Sequence, residues 1–142
     1  MAFDPSADYP IGTERPDLVR TPGGLALDEL TLDALRSGRL DASEMRATAQ
    51  TLALQAQVAL AAGRSQLAAN LERAAELTGV PDEVVLEVYT ALRPHRSTAE
   101  ELESWAERLE SDFGAAKTAT FVREAGAVYA KRNLLRADDP AV

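Results

Sequence analysis

The sequence has no cysteine, only 5% aromatic residues, and no apolar run as long as a membrane span. Without cysteine there can be no disulfide framework, thiol nucleophile or thiolate metal site. A membrane-spanning helix needs about 20 mostly apolar residues in succession. The first residues lack the basic and apolar regions of a secretory signal. We therefore expect a soluble, cytoplasmic protein.

Basic residues are also in short supply. The 142 residues include 15 Lys and Arg against 23 Asp and Glu, which gives a formal net charge of -8. Nucleic acids and anionic membrane surfaces attract clustered basic residues, so both are disfavoured as partners. The length suits one domain with its own core.

The apolar content, 46% of the chain, comes mostly from alanine and leucine, which favour helix. We predict an all-α fold: a compact multi-helix domain over residues 25–136, an extended N-terminal arm over residues 1–24, and a frayed tail over residues 137–142. The arm is predicted because proline and glycine block a long helix. They are Pro5, Pro10, Gly12, Pro16, Pro22, Gly23 and Gly24.

Helix signals divide the remainder. The first predicted helix is short, with Thr31 as its cap and Gly38 as its end. The others are a long one over 49–78 broken near Gly63–Ser65, one from Pro81 to Arg93, one from Ser97 to Phe113, which Gly114 ends, and one over 116–135. Ser97 and Glu100 have capping-box spacing. Leu32 and Leu35 give the short helix one apolar face. In the last helix we expect Phe121, Val122, Ala125, Val128 and Tyr129 to face inward.

The loop around His95, the only histidine, is basic in an acidic chain. It could be a solvated connection between helices, or a contact loop whose Arg93 and Arg96 pair with acidic groups of a partner. Acid–base catalysis by His95 would need an orienting group that the sequence does not reveal. The glutamates from Glu100 to Glu110 indicate a solvated helix face rather than a metal site.

The segment Ala75–Val85 has the pattern of a helix-turn-helix. Its second helix would begin with Pro81, Asp82 and Glu83, whereas a recognition helix should present basic or amide side chains to the bases. Two helices packed at an angle explain the pattern without DNA. A DNA-binding regulator and a free-standing helical adaptor remain the alternative functions.

A series of short motifs in a fixed order resembles one known family. The motifs are Asp8-Tyr9-Pro10, Leu30-Thr31-Leu32, Thr51-Leu52, Gln55-Ala56, Glu72–Leu77, Val80–Glu83, Ala91–Thr98, Glu101-Leu102, Phe121–Ala125 and Val128-Tyr129. Together they are similar to the small subunit of adenosylcobalamin-dependent propanediol and glycerol dehydratases. The resemblance spans about Asp8 to Leu135.

This resemblance implies a non-catalytic role in a larger enzyme that converts a diol to an aldehyde and water. Two copies each of large, medium and small subunits are implied, with adenosylcobalamin bound by the other subunits. No catalytic, cofactor-binding or metal-binding residue is then expected in this chain. As interface residues we predict Tyr9, Pro10, Ile11, Arg93, His95 and Arg96, although the arm could instead wrap its own helices.

Some relatives in that family carry a long extension before the Asp-Tyr-Pro motif, linked with packing into bacterial microcompartments. Only seven residues precede Asp8 here, so the expectation is a cytoplasmic enzyme, or one that relies on another subunit for encapsulation. The choice between propane-1,2-diol and glycerol stays open, because the substrate pocket belongs to the large subunit.

Overall fold

A computed structural model describes residues 2–137, and all regular elements in that range are helices. The all-α prediction is confirmed. One isolated bridge, between Arg20 and Ala26, is the single β-type pairing in the described range. The chain divides into two compact units, one ending at Thr78 and the other beginning at Gly79.

The segment predicted as an extended arm forms short helical turns in unit 1. Helix α1 spans Ile11–Glu14, and a 3-10 turn spans Pro16–Leu18. Pro10 and Pro16 stand at or next to the starts of these turns, where a missing N–H group costs nothing. The prediction that no long helix forms here is confirmed, whereas the extended conformation is not.

The rest of unit 1 contains a 3-10 turn at Leu27–Glu29, α2 at Leu32–Arg36, α3 at Ala49–Ala61 and α4 at Ser65–Leu77. The Thr31 hydroxyl accepts a hydrogen bond of 3.1 Å from the Ala34 N–H group, which confirms the predicted cap. The predicted break lies at Gly63, whose φ of +73° favours glycine.

The core of unit 1 consists of small and medium apolar side chains. Ala34 of α2 is buried, while its neighbours Leu32 and Leu35 are exposed. The apolar face that the sequence predicts for α2 is therefore exposed, since a one-turn helix can bury its alanine and leave its leucines outside. The other buried apolar residues of this unit are Ile11, Leu40, Leu54, Ala56, Ala59 and Ala68.

Unit 2 is made of α5 (Asp82–Ala91), α6 (Ala99–Phe113) and α7 (Ala116–Arg132). Gly114, with a φ of +65°, ends α6 and allows the chain to turn directly into α7. Helix α7 stops earlier than predicted, because Asn133 adopts a left-handed conformation with a φ of +54°. Asparagine tolerates that conformation better than most residues.

The predicted capping box of α6 is displaced by one residue. Thr98, not Ser97, caps the helix: its hydroxyl accepts from the Glu101 N–H at 3.2 Å, and the Glu101 carboxylate accepts from the Thr98 N–H at 2.9 Å. Ser97 instead donates its hydroxyl to the carbonyl oxygen of Ala91 at 2.9 Å. Both pairs have the same spacing, so the sequence pattern alone did not separate them.

Leucine and valine side chains between α6 and α7 form the center of unit 2. Leu102, Leu109 and Val122 are the largest fully buried side chains of the described range. Phe121 and Val128, also predicted to face inward, are exposed, so that part of the prediction is wrong.

The predicted domain bounds stay a prediction. Of the predicted tail, only Ala137 lies within the described residues.

Candidate functional site

The loop between α5 and α6 is held in place by the chain that follows α7. The N–H of His95 donates to the carbonyl oxygen of Leu134 at 2.7 Å, and the N–H of Arg136 donates to the carbonyl oxygen of Ser97 at 2.9 Å. The Tyr129 hydroxyl donates to the carbonyl oxygen of Leu92. The basic loop predicted as a contact surface thus has one fixed conformation.

The guanidinium of Arg136 completes this arrangement, which we call the loop clamp (Tyr129 and Leu134–Arg136 against Leu92–Glu101). Its Nη1 donates to the Arg96 carbonyl oxygen at 2.8 Å, and its Nη2 donates to Glu101 Oε1 at 2.5 Å. Together with the hydrogen bond from the Thr98 N–H, this ion pair lowers the pKa of Glu101 below its usual range. Arg136 therefore links the loop, the first turn of α6 and the segment that follows α7.

His95 has a structural position within the clamp. Its φ of +61° is a left-handed conformation that residues other than glycine rarely adopt. Its Nδ1 lies 3.3 Å from the Leu135 carbonyl oxygen and carries a proton there, because a carbonyl oxygen only accepts. No carboxylate among residues 2–137 orients the ring, so the geometry gives no support to acid–base catalysis.

Arg93 and Arg96, the other predicted contact residues of the loop, are both exposed. Neither guanidinium forms a hydrogen bond or ion pair with another described residue. Arginine without a partner among the described residues is available for a carboxylate of another protein. The structure thus brings Arg93, His95 and Arg96 together on one ordered loop.

A second arginine orders the N-terminal segment of unit 1. Arg15 Nη1 lies 3.1 Å from Asp8 Oδ2, and Arg15 Nε lies 3.0 Å from Asp17 Oδ1. The same guanidinium donates to the second oxygen of Asp17 at 3.0 Å. This bidentate pairing lowers the pKa of Asp17. Asp8, which precedes α1, and Asp17, which follows it, therefore both pair with the Arg15 side chain.

The three predicted contact residues of this segment fall into two groups. Tyr9 is 64% exposed and Pro10 is exposed, whereas Ile11 is only 7% exposed and packs within unit 1. Tyr9 lines an open, mainly apolar groove of about 800 Å³ together with Pro5, Val19, Leu27, Val58, Leu67, Leu71 and other residues. Tyr9 and Pro10 are free to contact a partner, and Ile11 anchors the segment.

The acidic face of α6 is partly paired with α7. Arg123 Nε lies 2.7 Å from Glu103 Oε1, and its Nη1 lies 3.0 Å from Glu110 Oε2. The two carboxylates raise the pKa of Arg123 further. Pairs as exposed as these contribute little to stability, so the face is largely solvated. Within the described residues, no group of three or more histidine, aspartate or glutamate side chains could hold a metal ion.

The sequence did not reveal Tyr129, Arg136 or Arg15 as residues that fix the candidate surfaces. Arg136 contacts residues 35 and 40 positions away, and a single sequence carries no signal for such pairing. The sequence shows only that Arg136 is a basic residue that follows the last predicted helix. No helix in the described range has the length and apolar character needed to cross a membrane.

Within the described residues the structure is all-α, and its candidate surfaces are the basic loop between α5 and α6 and the exposed residues Tyr9 and Pro10. The chain belongs to the dehydratase small subunit family, whose model matches residues 5–136. That match covers all seven α-helices of the described range.

Two relatives are similar over most of their length. A propanediol dehydratase small subunit of Citrobacter freundii is 49% identical over 132 residues, which cover 93% of this chain and 77% of the relative. A propanediol dehydratase small subunit of Salmonella typhimurium is 49% identical over 133 residues, covering 94% of this chain and 77% of the relative.

Proposed function

We propose that this chain is the small, non-catalytic subunit of a coenzyme B12-dependent diol dehydratase that converts propane-1,2-diol or glycerol to the corresponding aldehyde and water. The observation that carries the proposal is the 49% identity to propanediol dehydratase small subunits over more than nine-tenths of the chain. Family membership favours this function over the regulator and the free-standing adaptor.

The proposed role is to bind and support larger subunits. A small subunit requires partners, and we name a large and a medium dehydratase subunit, assembled as a dimer of three-subunit units. The two loop arginines, which have no partner in the part of the chain that the structure describes, and the exposed Tyr9 support a binding role. In the proposed enzyme, Tyr9 and Pro10 contact the large subunit, with Ile11 fixing their backbone from inside unit 1. Arg93, His95 and Arg96 contribute charged or polar contacts.

We assign the cofactor to the other subunits. The residues of this chain do not fit a corrin with an imidazole ligand, because the groove of unit 1 has no histidine in its lining and His95 lies in unit 2. Adenosylcobalamin, bound elsewhere, supplies the radical that begins dehydration. This chain's part is to keep its partner subunits in the shape that shields such chemistry.

The proposal is tested by reconstitution. The large and medium subunits encoded beside this chain are co-expressed with and without it, and aldehyde formation is measured after adding adenosylcobalamin and either propane-1,2-diol or glycerol. We expect rapid aldehyde formation only when this chain is present, and the ratio of the two rates gives the substrate preference.

An added-back purified chain serves as the control for expression effects. Activity restored by addition supports a direct structural role. Equal activity of the two-subunit preparation with and without the chain would contradict the proposal.

A further inference from the structure

Helix α5 presents apolar side chains on two opposite sides. Val84 and Val88 are buried in unit 2, as expected for its inner face. Leu86 and Tyr89 are 65% and 68% exposed. At 100° per residue these two side chains lie about 60° apart, so they form one strip on the outside of the helix. Together they form a small exposed apolar patch that is available to a partner.

Arginines continue this strip beyond the end of the helix. Arg93 comes two residues after the end of α5, and Arg96 lies three residues further along the same loop. Neither arginine pairs with a described residue, although the chain has a net charge of -8. By contrast, Arg15, Arg123 and Arg136 all form ion pairs. Exposed tyrosine and arginine without a partner among the described residues are the residue types enriched in interface hot spots.

The loop clamp gives this surface a defined shape before any partner arrives. The hydrogen bonds from Tyr129 to Leu92 and from Arg136 to Ser97 and Arg96 fix the backbone on which the two arginines stand. A contact loop that is already ordered loses less conformational entropy on binding. The clamp therefore favours binding without forming part of the contact itself.

We propose that Leu86, Tyr89, Arg93 and Arg96 form a second docking surface for the large dehydratase subunit, beside the contacts of Tyr9 and Pro10, and that the large subunit receives them in an apolar pocket edged by carboxylates. This proposal rests on the proposed function and adds the surface and the chemistry of its partner. The charge of the two arginines selects an acidic pocket edge. Tyr89 and Leu86 supply the apolar area that an interface center needs.

The first test measures binding of purified variants to the complex of large and medium subunits. The double variant Leu86→Ala with Tyr89→Ala is expected to raise Kd about 30-fold or more. Arg93→Glu with Arg96→Glu is expected to raise Kd by at least about tenfold and to weaken its dependence on salt. Glu87→Ala, on the other edge of the exposed face, and Lys131→Glu, on α7, are the matched controls and should leave Kd within about twofold.

The absence of cysteine allows a second test, made at subunit concentrations high enough to saturate binding of the variant. Tyr89→Cys and Lys131→Cys each introduce one thiol into a chain that has no other. Complex formation is expected to slow maleimide labelling at position 89 about tenfold or more, and to leave position 131 unaffected, since burial removes reagent access.

The outcomes distinguish an error in the docking surface from an error in the proposed function. If the wild-type chain binds but the double variant binds equally well and position 89 stays reactive, the docking surface is wrong and the proposed function stands. If the wild-type chain does not bind the other subunits at all, the proposed function fails and this surface fails with it. Circular dichroism of each variant shows whether its helices are intact.

Discussion

Arg136 is the residue that most directly links local structure to the candidate surface. Its guanidinium contacts the Arg96 carbonyl and the Glu101 carboxylate, so the contact loop and the first turn of α6 are held by one side chain. The partners lie in loops and helix ends rather than in the core. The contacts of Arg136 therefore fix the conformation of the loop and contribute little to the free energy of unfolding.

The lowered pKa of Glu101 predicts how this linkage depends on pH. A carboxylate whose pKa is lower when folded stabilises the fold above its unfolded pKa of about 4.3, and the contribution is lost as pH falls through the folded value. Glu101→Gln should therefore unfold at a lower urea concentration than the wild type at pH 7, and the two midpoints should converge near pH 2. If the difference between the two urea midpoints persisted unchanged in acid, the charge of Glu101 would not be its cause.

Because Thr98 is the residue that caps α6, its substitution should cost more stability than that of Glu100. Thr98→Ala removes the side chain that accepts from the Glu101 N–H, and should lower the free energy of unfolding by about 1 kcal/mol. Glu100→Gln, which changes the residue that the sequence pattern selected, should change it by less than about 0.5 kcal/mol. Urea denaturation of both variants measures the contrast, and a larger loss in Glu100→Gln would restore the original assignment.

At the scale of elements, the helices were predictable because local chemistry determines where they begin and end. Thr31 caps α2, Gly63 separates α3 from α4, and Gly114 separates α6 from α7, as expected from the sequence. Which side of a helix is buried was less predictable. Phe121 and Val128 share a helix with Val122, yet only Val122 is buried, because periodicity identifies apolar positions but not what packs against them.

Replacing a leucine by alanine should change stability much more in α6 than in α5. Leu102 is 1% exposed between α6 and α7, so Leu102→Ala should lower the free energy of unfolding by about 2–5 kcal/mol. Leu86→Ala removes the same atoms from an exposed site and should change it by less than about 0.5 kcal/mol. Equal losses on urea denaturation would show that Leu86 is part of the folded core, which would contradict its proposed availability to a partner.

At the scale of the whole molecule, the sequence led to the family but not to the arrangement of its surfaces. The order of short motifs from Asp8 to Leu135 identified a dehydratase small subunit, and the family match over residues 5–136 confirms it. The division of the chain after Thr78 and the clamp formed by Arg136 depend on contacts between distant residues. A single sequence gives no signal for such contacts, so these features required the structure.

The mass of the complex formed when this chain is co-expressed with the large and medium subunits shows whether the chain is a subunit of the enzyme. A tag is placed on the large subunit alone, and the purified material is analysed by native mass spectrometry. The account predicts one species containing two copies of each subunit. A complex of large and medium subunits that excludes this chain, with the chain recovered as a separate monomer, would contradict it.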